Sequence, residues 1–447
     1  MNDSKKSSGK IIINIPEVTQ SADKTRVTAK IDLNGQTKAL WFEVGAEYAQ
    51  YLCPERGDGL VIAMLWLAMR NGCDIECKVP VTAELKYQIE EHLVPVLARH
   101  SSKMYATRIL AEEAELPVEN AEAVGTGISC GIDSLYSLKQ NIAGWKGKKL
   151  THLALYNVGA FGNFDENKRD SQFKWQIENS LRLCKEVGLK LVVANTNLKA
   201  DFWSDFRYTH TYCNVFAVYM LQKLWGTYFY ASAGMGMPAF SVISADELDC
   251  AHYDIYLLAC LSTRRLKFYS NGAAVTRFDK TAELAEWDLS KRFLHVCCHD
   301  EGKNCGKCFK CKRTLVCLDA LGKLDEFADV FDIGYYREHR SDYLKWLILQ
   351  SFNRKGEEWC MISSAYDVIV SRGGLSLANR VGAVLMWLKS RLRKYKTLLC
   401  ICQGGGCGLF NFLVVSKPLK PPKPAFARHG SGYRRSRFAR FQPVSVR

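Results

Sequence analysis

Acidic residues are missing from the last eighty positions of this 447-residue chain. Val368–Arg447 contains sixteen Lys and Arg but no Asp or Glu. The formal net charge of +15 therefore lies in this C-terminal segment, since the preceding residues carry nearly equal numbers of acids and bases. Proteins grip a phosphate backbone with clustered cations. The neutral body thus argues against a protein that binds nucleic acid over its whole surface.

A long uninterrupted apolar run is also absent. Leu60–Met69 is too short to cross a bilayer, and the uncharged stretch Thr397–Ser416 is interrupted by three successive glycines and by Gln403 and Asn411. The N-terminus lacks the apolar core and cleavage site of a secretory signal. We therefore expect a cytoplasmic protein without stable membrane insertion. Thiols stay reduced in that compartment, so a cluster among the 18 cysteines indicates a metal site before disulfides.

The stretch Gly125–Leu138 lacks the lysine of a Walker loop but has the other features of a phosphate-binding turn. An apolar run, Ala121–Ile128, leads through a turn of small residues into a helical pattern that begins near Asp133. Such a turn presents backbone N–H groups and the positive end of a helix dipole to an anion. Ser129 and Ser134 add hydroxyl donors, and Asp133 adds a carboxylate suited to a metal ion that bridges phosphates.

This turn reads Ser129-Cys130-Gly131-Ile132-Asp133-Ser134 and resembles the S-G-G-x-D-S signature of the PP-loop ATP pyrophosphatase superfamily. The resemblance implies that these six residues hold the pyrophosphate of ATP, with Mg²⁺ near Asp133. Cys130 replaces the first glycine, which matters if that position needs a positive φ. Its thiol is either a nucleophile or a small side chain in a crowded turn. The alternative for the whole stretch is an ordinary strand-to-helix turn.

Residues 1–120 are predicted to form an α+β accessory domain. Asn34-Gly35 between two alternating runs is a strong signal for a β-hairpin. The predicted elements are strands at Ile11–Ile15, Thr25–Leu33 and Lys38–Val44, a helix at Gly59–Arg70, a strand at Asp74–Val79, a helix at Ala83–Arg99 and a strand at Lys103–Ile109.

Residues 121–318 alternate between strand and helix patterns, which predicts a doubly wound α/β domain with a parallel sheet covered on both faces. Ligands of such sheets bind beyond the carboxyl ends of the strands. Three strands end in small and polar triplets, at residues 157–159, 195–197 and 232–234. After the first strand and helix, the predicted elements are strand Leu150–Val158, helix Asp170–Val187, strand Leu189–Asn195, helix Thr211–Leu224, strand Tyr228–Ala233, helix Tyr256–Ser262 and strand Arg265–Ser270.

Arg277 and Lys280 are three residues apart at the start of a further predicted helix, so they can face one ligand. Cations there would neutralise the charge of a triphosphate during transfer. A lysine after the sheet strands also recurs in PP-loop active sites. The alternative is an exposed helix start with a local ion pair.

A cysteine knuckle follows, in which Cys305, Cys308 and Cys311 have the spacing C-x2-C-x2-C. A fourth cysteine, Cys297 or Cys298, lies a few residues upstream, and we select Cys298 as the predicted ligand. Four thiolates close on one tetrahedral ion, which predicts Zn²⁺ in a structural site without an open position. A four-iron cluster is the rival.

A PP-loop followed by this knuckle resembles the branch of the superfamily that contains the 7-cyano-7-deazaguanine synthases. The resemblance covers residues 121–318 and implies an enzyme that splits ATP into AMP and pyrophosphate. It would thereby activate a carboxylate or carbonyl of a small-molecule acid for attack by ammonia or another nucleophile. ATP, Mg²⁺ and Zn²⁺ are the implied ligands, and Asp133, Arg277 and Lys280 the catalytic candidates.

Two segments follow the knuckle. Residues 319–367 are predicted to form a helical extension, and residues 368–447 a basic tail. The tail is either disordered or, through Arg434–Arg440, in contact with RNA or anionic lipid. Two alternative functions result. One is a PP-loop enzyme that modifies tRNA and holds it with the tail, and the other is an inactive zinc-binding scaffold.

Overall fold

The computed structural model describes residues 9–33, 35–144, 147–159, 166–203, 206–234, 249–297, 299, 302–354 and 357–403. The described residues up to 386 form one compact unit, and those from 387 to 403 belong to a second. The basic tail beyond residue 403 lies outside the described residues, so the RNA-binding hypothesis for Arg434–Arg440 stays a prediction.

The described part of the chain contains thirteen strands and fifteen α-helices, with short 3-10 and π segments between them. The strands are β1 Gly9–Ile13, β2 Glu17–Gln20, β3 Lys24–Leu33, β4 Gln36–Gly45, β5 Cys73–Cys77, β6 Val81–Thr82, β7 Ile109–Leu110, β8 Glu113–Ala114, β9 Ala123–Gly127, β10 His152–Asn157, β11 Lys190–Thr196, β12 Trp225–Ala231 and β13 Lys267–Asn271. The helices are α1 Asp58–Asn71, α2 Ala83–Tyr87, α3 Val94–His100, α4 Ile132–Asn141, α5 Glu166–Val187, α6 Leu198–Phe202, α7 His210–Met220, α8 Asp254–Cys260, α9 Arg277–Ala285, α10 Asp288–Phe293, α11 Phe309–Leu321, α12 Ile333–Glu338, α13 Arg340–Ser351, α14 Glu357–Ser371 and α15 Leu377–Gln403.

Eleven strands form one mixed sheet in which five consecutive strands, β11-β10-β9-β12-β13, are parallel. Numbered along the chain from β9, their spatial order is 3-2-1-4-5, the order of doubly wound nucleotide-binding folds. The predicted alternation of strands and helices after residue 120 is confirmed, and most element bounds differ by only a few residues. The first parallel strand therefore lies where the winding direction of the sheet reverses.

Helices cover both faces of these parallel strands because side chains alternate along each strand. Val124, Leu153 and Leu155 belong to the hydrophobic core on one face, which also contains residues of α4, α9 and α11. Ala154 and Tyr156 belong to the core on the other face, with residues of α1, α7 and α8. Both cores together bury the parallel strands, as the near-continuous apolar runs predicted.

The N-terminal strands continue the same sheet, since β4 pairs antiparallel with β11 at the edge of the parallel half. The predicted hairpin is confirmed: Leu33 of β3 faces Gln36 of β4, and Gly35 has a φ of +82° in the two-residue connection. Residues 9–45 therefore form an antiparallel half of one sheet. The proposed domain boundary at residue 120 stays a prediction.

Two N-terminal expectations need correction. The helix predicted at Ala83–Arg99 contains a π-helical turn, Gln88–Leu93, before α3, and Pro95 lacks the N–H that would continue the α-helical ladder. The strand predicted at Lys103–Ile109 is reduced to Ile109–Leu110. In its place the Arg108 N–H donates to the Asp74 carboxylate at 3.0 Å, so a side chain replaces the ladder acceptor.

The helical extension predicted after the knuckle is confirmed by α12, α13 and most of α14. Within the described part of the chain, no helix is both long enough and apolar enough to cross a membrane. Most of the uncharged stretch Thr397–Ser416 lies outside that part.

Candidate functional site

The predicted phosphate-binding turn lies at the carboxyl end of β9 and leads into α4, which begins at Ile132. The N–H groups of Ile132, Asp133 and Ser134 form the first turn of this helix and have no acceptor within it. The Ser134 hydroxyl lies 3.2 Å from both the backbone nitrogen and the hydroxyl of Ser129, which closes the turn. The turn thus combines a helix N-terminus with the winding-reversal point of the sheet.

Cys130 occupies the left-handed backbone region, with a φ of +56°. Only glycine adopts this region without steric cost, so the PP-loop glycine that Cys130 replaces would fit here more easily. The thiol points into the core and is fully buried. Burial raises its pKa to about 12, although hydrogen bonds to Gln176 and Ser180 act in the opposite direction. These features fit a packing residue better than a nucleophile.

Asp133 joins the turn to the start of α9. Its carboxylate is paired with the Arg277 guanidinium and lies 3.1 Å from the Lys280 ammonium. Lys280 also donates to the backbone carbonyl of Ser232 at 2.6 Å, just after β12. Both cations therefore contact one carboxylate, and their contact with a triphosphate stays a prediction. The alternative was an exposed helix start with an ion pair; the ion pairs with Asp133 are present, but the side chain of Lys280 is fully buried.

Local capping explains where α9 begins. The Thr276 hydroxyl accepts the Asp279 N–H at 3.2 Å and donates to the Asp279 carboxylate at 2.7 Å. Arg277 is therefore the first helical residue, and Lys280 follows one turn later on the same face.

The charges at Asp133 are set by burial and by the paired cations. Burial alone would raise the pKa of this carboxyl, but Arg277 and Lys280 hold the pKa below its usual range. Asp133 is therefore ionised at neutral pH. Both of its oxygens are already paired with cations, so Mg²⁺ would reach Asp133 only if one of these ion pairs opened.

A cavity of about 180 Å³ opens beside the turn. Its lining contains three basic side chains, Arg277, Lys310 and Arg313, but Asp133 is the single acidic one among its described lining residues. Arg313 is buried and lies 3.6 Å from Glu358 of α14. The positive excess and the helix N-terminus of α4 make the cavity complementary to a polyanion.

The cavity lining also contains two aromatic rings. The rings of Trp175 and His295 lie 4.3 Å apart between their centroids, and both residues line the cavity. The backbone N–H of His295 donates to the backbone carbonyl of Cys130 at 2.8 Å, which connects this pair of rings to the turn. A planar group bound beside the polyanion would find a stacking surface here.

The strand ends predicted as ligand-binding positions lie at the same edge of the sheet. The side-chain amide of Asn157, the last residue of β10, donates to the Asn195 side-chain oxygen in β11 at 2.9 Å. The third triplet contributes Ser232, whose carbonyl accepts from Lys280. The parallel register therefore places these polar residues at the edge where the turn lies.

Four sulfurs come together in the knuckle, those of Cys297, Cys305, Cys308 and Cys311, all within 4.8 Å of one another. The Cys305 and Cys311 sulfurs lie 3.9 Å apart. A tetrahedral zinc ion with Zn–S bonds of about 2.3 Å requires sulfurs about 3.8 Å apart. The group of four therefore has the dimensions of a zinc site, which supports a metal such as zinc here.

The surrounding backbone and thiols favour a bound cation. N–H groups donate to the sulfurs of Cys297 and Cys305 at 3.3 Å and to that of Cys308 at 3.4 Å. Hydrogen bonding to the Cys308 thiol raises the pKa of Cys297 to about 11. A shared cation would release such protons. Cys298, our predicted fourth ligand, lies outside the described residues, and Cys297 is the fourth sulfur among those described.

Sequence reasoning misses one cation of the cavity lining and the residues that contact it. Arg313 lies two positions beyond the knuckle and four before Cys317, so an arginine on an otherwise buried helix face was a usable signal. Glu358 and Met361 come from α14; Glu358 pairs with Arg313, and Met361 contacts both Arg277 and Arg313. No spacing in the sequence indicates that this helix contacts the arginines of the cavity.

Comparisons with protein-family models, with curated proteins and with solved structures find no match to this chain. The assignment of a function therefore depends on the geometry described above.

Proposed function

We propose that this protein is an ATP-dependent adenylating enzyme of the PP-loop type, which releases pyrophosphate and activates a carboxylate or carbonyl of a small molecule. The observation that carries the proposal is the meeting of the 129–134 turn with two cations at the winding-reversal point of a parallel sheet. Triphosphates bind at this position in doubly wound folds.

The cavity lining supports a nucleotide rather than a simple anion. The lining offers the N–H groups of α4 together with Arg277 and Arg313, which suit a phosphate chain. It also offers Trp175 and His295, which suit a planar heterocycle or an unsaturated acyl group. Polyanion and planar group are both parts of an adenylate.

In the proposed reaction an oxygen of the substrate attacks the α-phosphorus of ATP, and the bond to the β-phosphate breaks. Pyrophosphate leaves with the bonding electrons, and its added charge is stabilised by the turn N–H groups, Arg277 and Lys280. Ammonia or another nucleophile then displaces AMP from the activated carbon and loses a proton to solvent. Asp133 orients both cations, so it acts as a positioning residue.

The metals have separate roles in this proposal. Zn²⁺ held by Cys297, Cys305, Cys308 and Cys311 would fix the segment that carries His295 and the start of α11, which carries Arg313. Four thiolates leave no position for water, so this ion supplies structure. Mg²⁺ bound with ATP would neutralise phosphate charge.

The reaction products test the proposal directly. Purified protein is incubated with ATP, Mg²⁺ and a panel of small carboxylic acids with ammonium, and the nucleotides are separated. AMP and pyrophosphate in equal amounts are expected. ADP with inorganic phosphate would contradict the PP-loop assignment.

A catalytically inactive zinc scaffold is the second candidate, and one observation favours it. Both Asp133 oxygens are held by Arg277 and Lys280, so the turn has no free carboxylate oxygen for a metal–phosphate complex. Isothermal titration with ATP and Mg²⁺ separates the two candidates, because the scaffold predicts no binding heat.

A further inference from the structure

A second cluster of metal-binding side chains lies away from the knuckle. His210, Asp249 and Cys250 place a ring nitrogen, a carboxylate oxygen and a sulfur within 4.8 Å of one another. His210 is the first residue of α7. Asp249 is the N-cap of the 3-10 helix Cys250–His252, and Cys250 is the first residue of that helix. We propose that these three side chains form a second metal site, which binds one Zn²⁺ ion and leaves one coordination position open.

The donor set suits zinc. A thiolate, an imidazole and a carboxylate are the three ligand types that Zn²⁺ takes in proteins, and three protein ligands with an open fourth position are typical of catalytic zinc. The His210 Nε2 atom lies 2.7 Å from Asp249 Oδ1, which is hydrogen-bonding distance. A shift of under about 1 Å would open this pair to the spacing that two ligands of one tetrahedral ion require.

Neighbouring residues orient the ligands as an outer shell does. The other His210 ring nitrogen, Nδ1, lies 2.8 Å from the Tyr230 hydroxyl, which fixes the ring and leaves Nε2 for the ion. Thr211 donates its N–H and its hydroxyl to the Cys250 sulfur at 3.4 and 3.3 Å. The Ala251 N–H donates to Asp249 Oδ1 at 2.9 Å.

Burial and charge support an ion that is reached from one side. Cys250 is fully buried, while the side chains of His210 and Asp249 are 18% and 15% exposed. A divalent cation would neutralise the thiolate and the carboxylate together. The open position then faces the partly exposed side, where water or an oxygen or nitrogen atom of a ligand would complete the coordination.

Tyr230 is the second-last residue of β12, and Ser232 follows directly after that strand. The proposed ion therefore lies on the same edge of the sheet as the phosphate-binding turn but uses none of its residues. This inference does not depend on the proposed adenylation.

Metal content tests the site with the knuckle as an internal reference. Protein is purified anaerobically without added metal and is then equilibrated with Zn²⁺ that a chelator buffers at a fixed, low free concentration. The zinc content per chain is then measured. We expect about two equivalents for the wild type and about one for Cys250→Ser and for His210→Ala. His252→Ala, which removes a neighbouring histidine outside the group, is the matched control and keeps two.

Anomalous diffraction at the zinc edge gives the same answer on the unaltered protein, so the test survives if a variant fails to fold. Peaks at the knuckle and at His210 support the proposal. A single peak at the knuckle, or equal zinc in wild type and Cys250→Ser, would overturn it and leave the group as a hydrogen-bonded cluster.

Discussion

Two carboxylates in this protein are each held between a lysine and an arginine, and their surroundings differ. Glu43, in the antiparallel half of the sheet, contacts Lys24 and Arg26, whose side chains are 60% and 41% exposed. Asp133, in the parallel half, contacts Arg277 and Lys280, and Lys280 has no exposed surface. Only the second arrangement removes its cations from water.

This difference teaches that the burial of the charges, rather than the number of ion pairs, distinguishes a candidate site. An exposed cation that loses its partner is solvated again, whereas a buried cation is left with an uncompensated desolvation cost. The antiparallel triad can therefore be explained as surface stabilisation. The parallel triad retains a costly charge beside the 129–134 turn, which is expected where a ligand uses that charge.

The largest effect is expected for Asp133→Asn. This change leaves the buried Lys280 ammonium with only the Ser232 carbonyl and more distant charges, so the free energy of unfolding should fall by about 3 kcal/mol. Urea unfolding at pH 7 measures it. A loss as small as that of the matched variant Glu43→Gln would show that burial does not separate the two triads.

Lys280→Met tests whether the buried cation serves chemistry. Asp133 keeps Arg277, so the fold should persist, but the leaving pyrophosphate loses one stabilising charge. We expect the rate of AMP and pyrophosphate formation to fall by roughly 100-fold or more. Lys24→Met in the antiparallel half is the control and should react at the wild-type rate. Full activity in Lys280→Met would assign that lysine to structure alone.

The two halves also differ in how well the sequence predicts them. Local signals predicted the strands of the parallel half, the turn at 129–134 and the sulfurs of Cys305, Cys308 and Cys311, because each depends on residues near one another in the chain. The pairing of β4 with β11 joins residues about 150 positions apart, and no periodicity encodes it. The strand predicted at Lys103–Ile109 is shortened because the Arg108 N–H donates to the Asp74 side chain and the Thr107 hydroxyl donates to the Cys73 carbonyl, where a ladder would pair backbone with backbone.

In the candidate site, too, features set by nearby residues were predicted and contacts between distant residues were not. Arg277 and Lys280 were predicted as a pair from their helical spacing, but their partner Asp133 could not be assigned, since it lies 144 positions from Arg277. His210 and Cys250 are 40 positions apart, and only the packing of α7 against the segment before α8 brings them together. The superfamily, the substrate and the domain boundaries stay predictions.

His152 shows what burial does to a group that has no opposite charge. Burial, with a smaller effect of Lys190, lowers its pKa to about 4 from the ordinary 6.5. The folded state therefore binds the proton less tightly than the unfolded state. The contribution of the neutral His152 to the free energy of unfolding is complete above pH 6.5 and is lost as the pH falls towards 4.

Comparison with His152→Gln isolates this contribution. Urea unfolding of both proteins at several pH values between 7 and 4 should give a steeper decline for the wild type. Parallel declines would mean that His152 takes up its proton in the folded protein as readily as in the unfolded chain.

Cys130 provides a smaller test within the parallel half, where the backbone rather than a charge is under strain. At a φ of +56° glycine is favoured over any residue with a Cβ atom, so Cys130→Gly should be more stable than Cys130→Ala by roughly 1 kcal/mol. Both variants lose the buried thiol, so that loss cancels in the comparison. Equal stability would show that the turn relaxes around either side chain.

The smallest effect is expected for Glu43→Gln in the antiparallel half. Lys24 and Arg26 would keep most of their hydration, and Arg26 would keep its position over the Trp41 ring, 4.2 Å from the centroid. We expect a loss of under about 1 kcal/mol, which shrinks further in high salt because the exposed cations are screened. Unfolding in low and in high salt measures both. The contrary result would be a loss in the free energy of unfolding that does not depend on salt and is close to that of Asp133→Asn. It would mean that the burial of the carboxylate sets this loss, whatever the exposure of its cations.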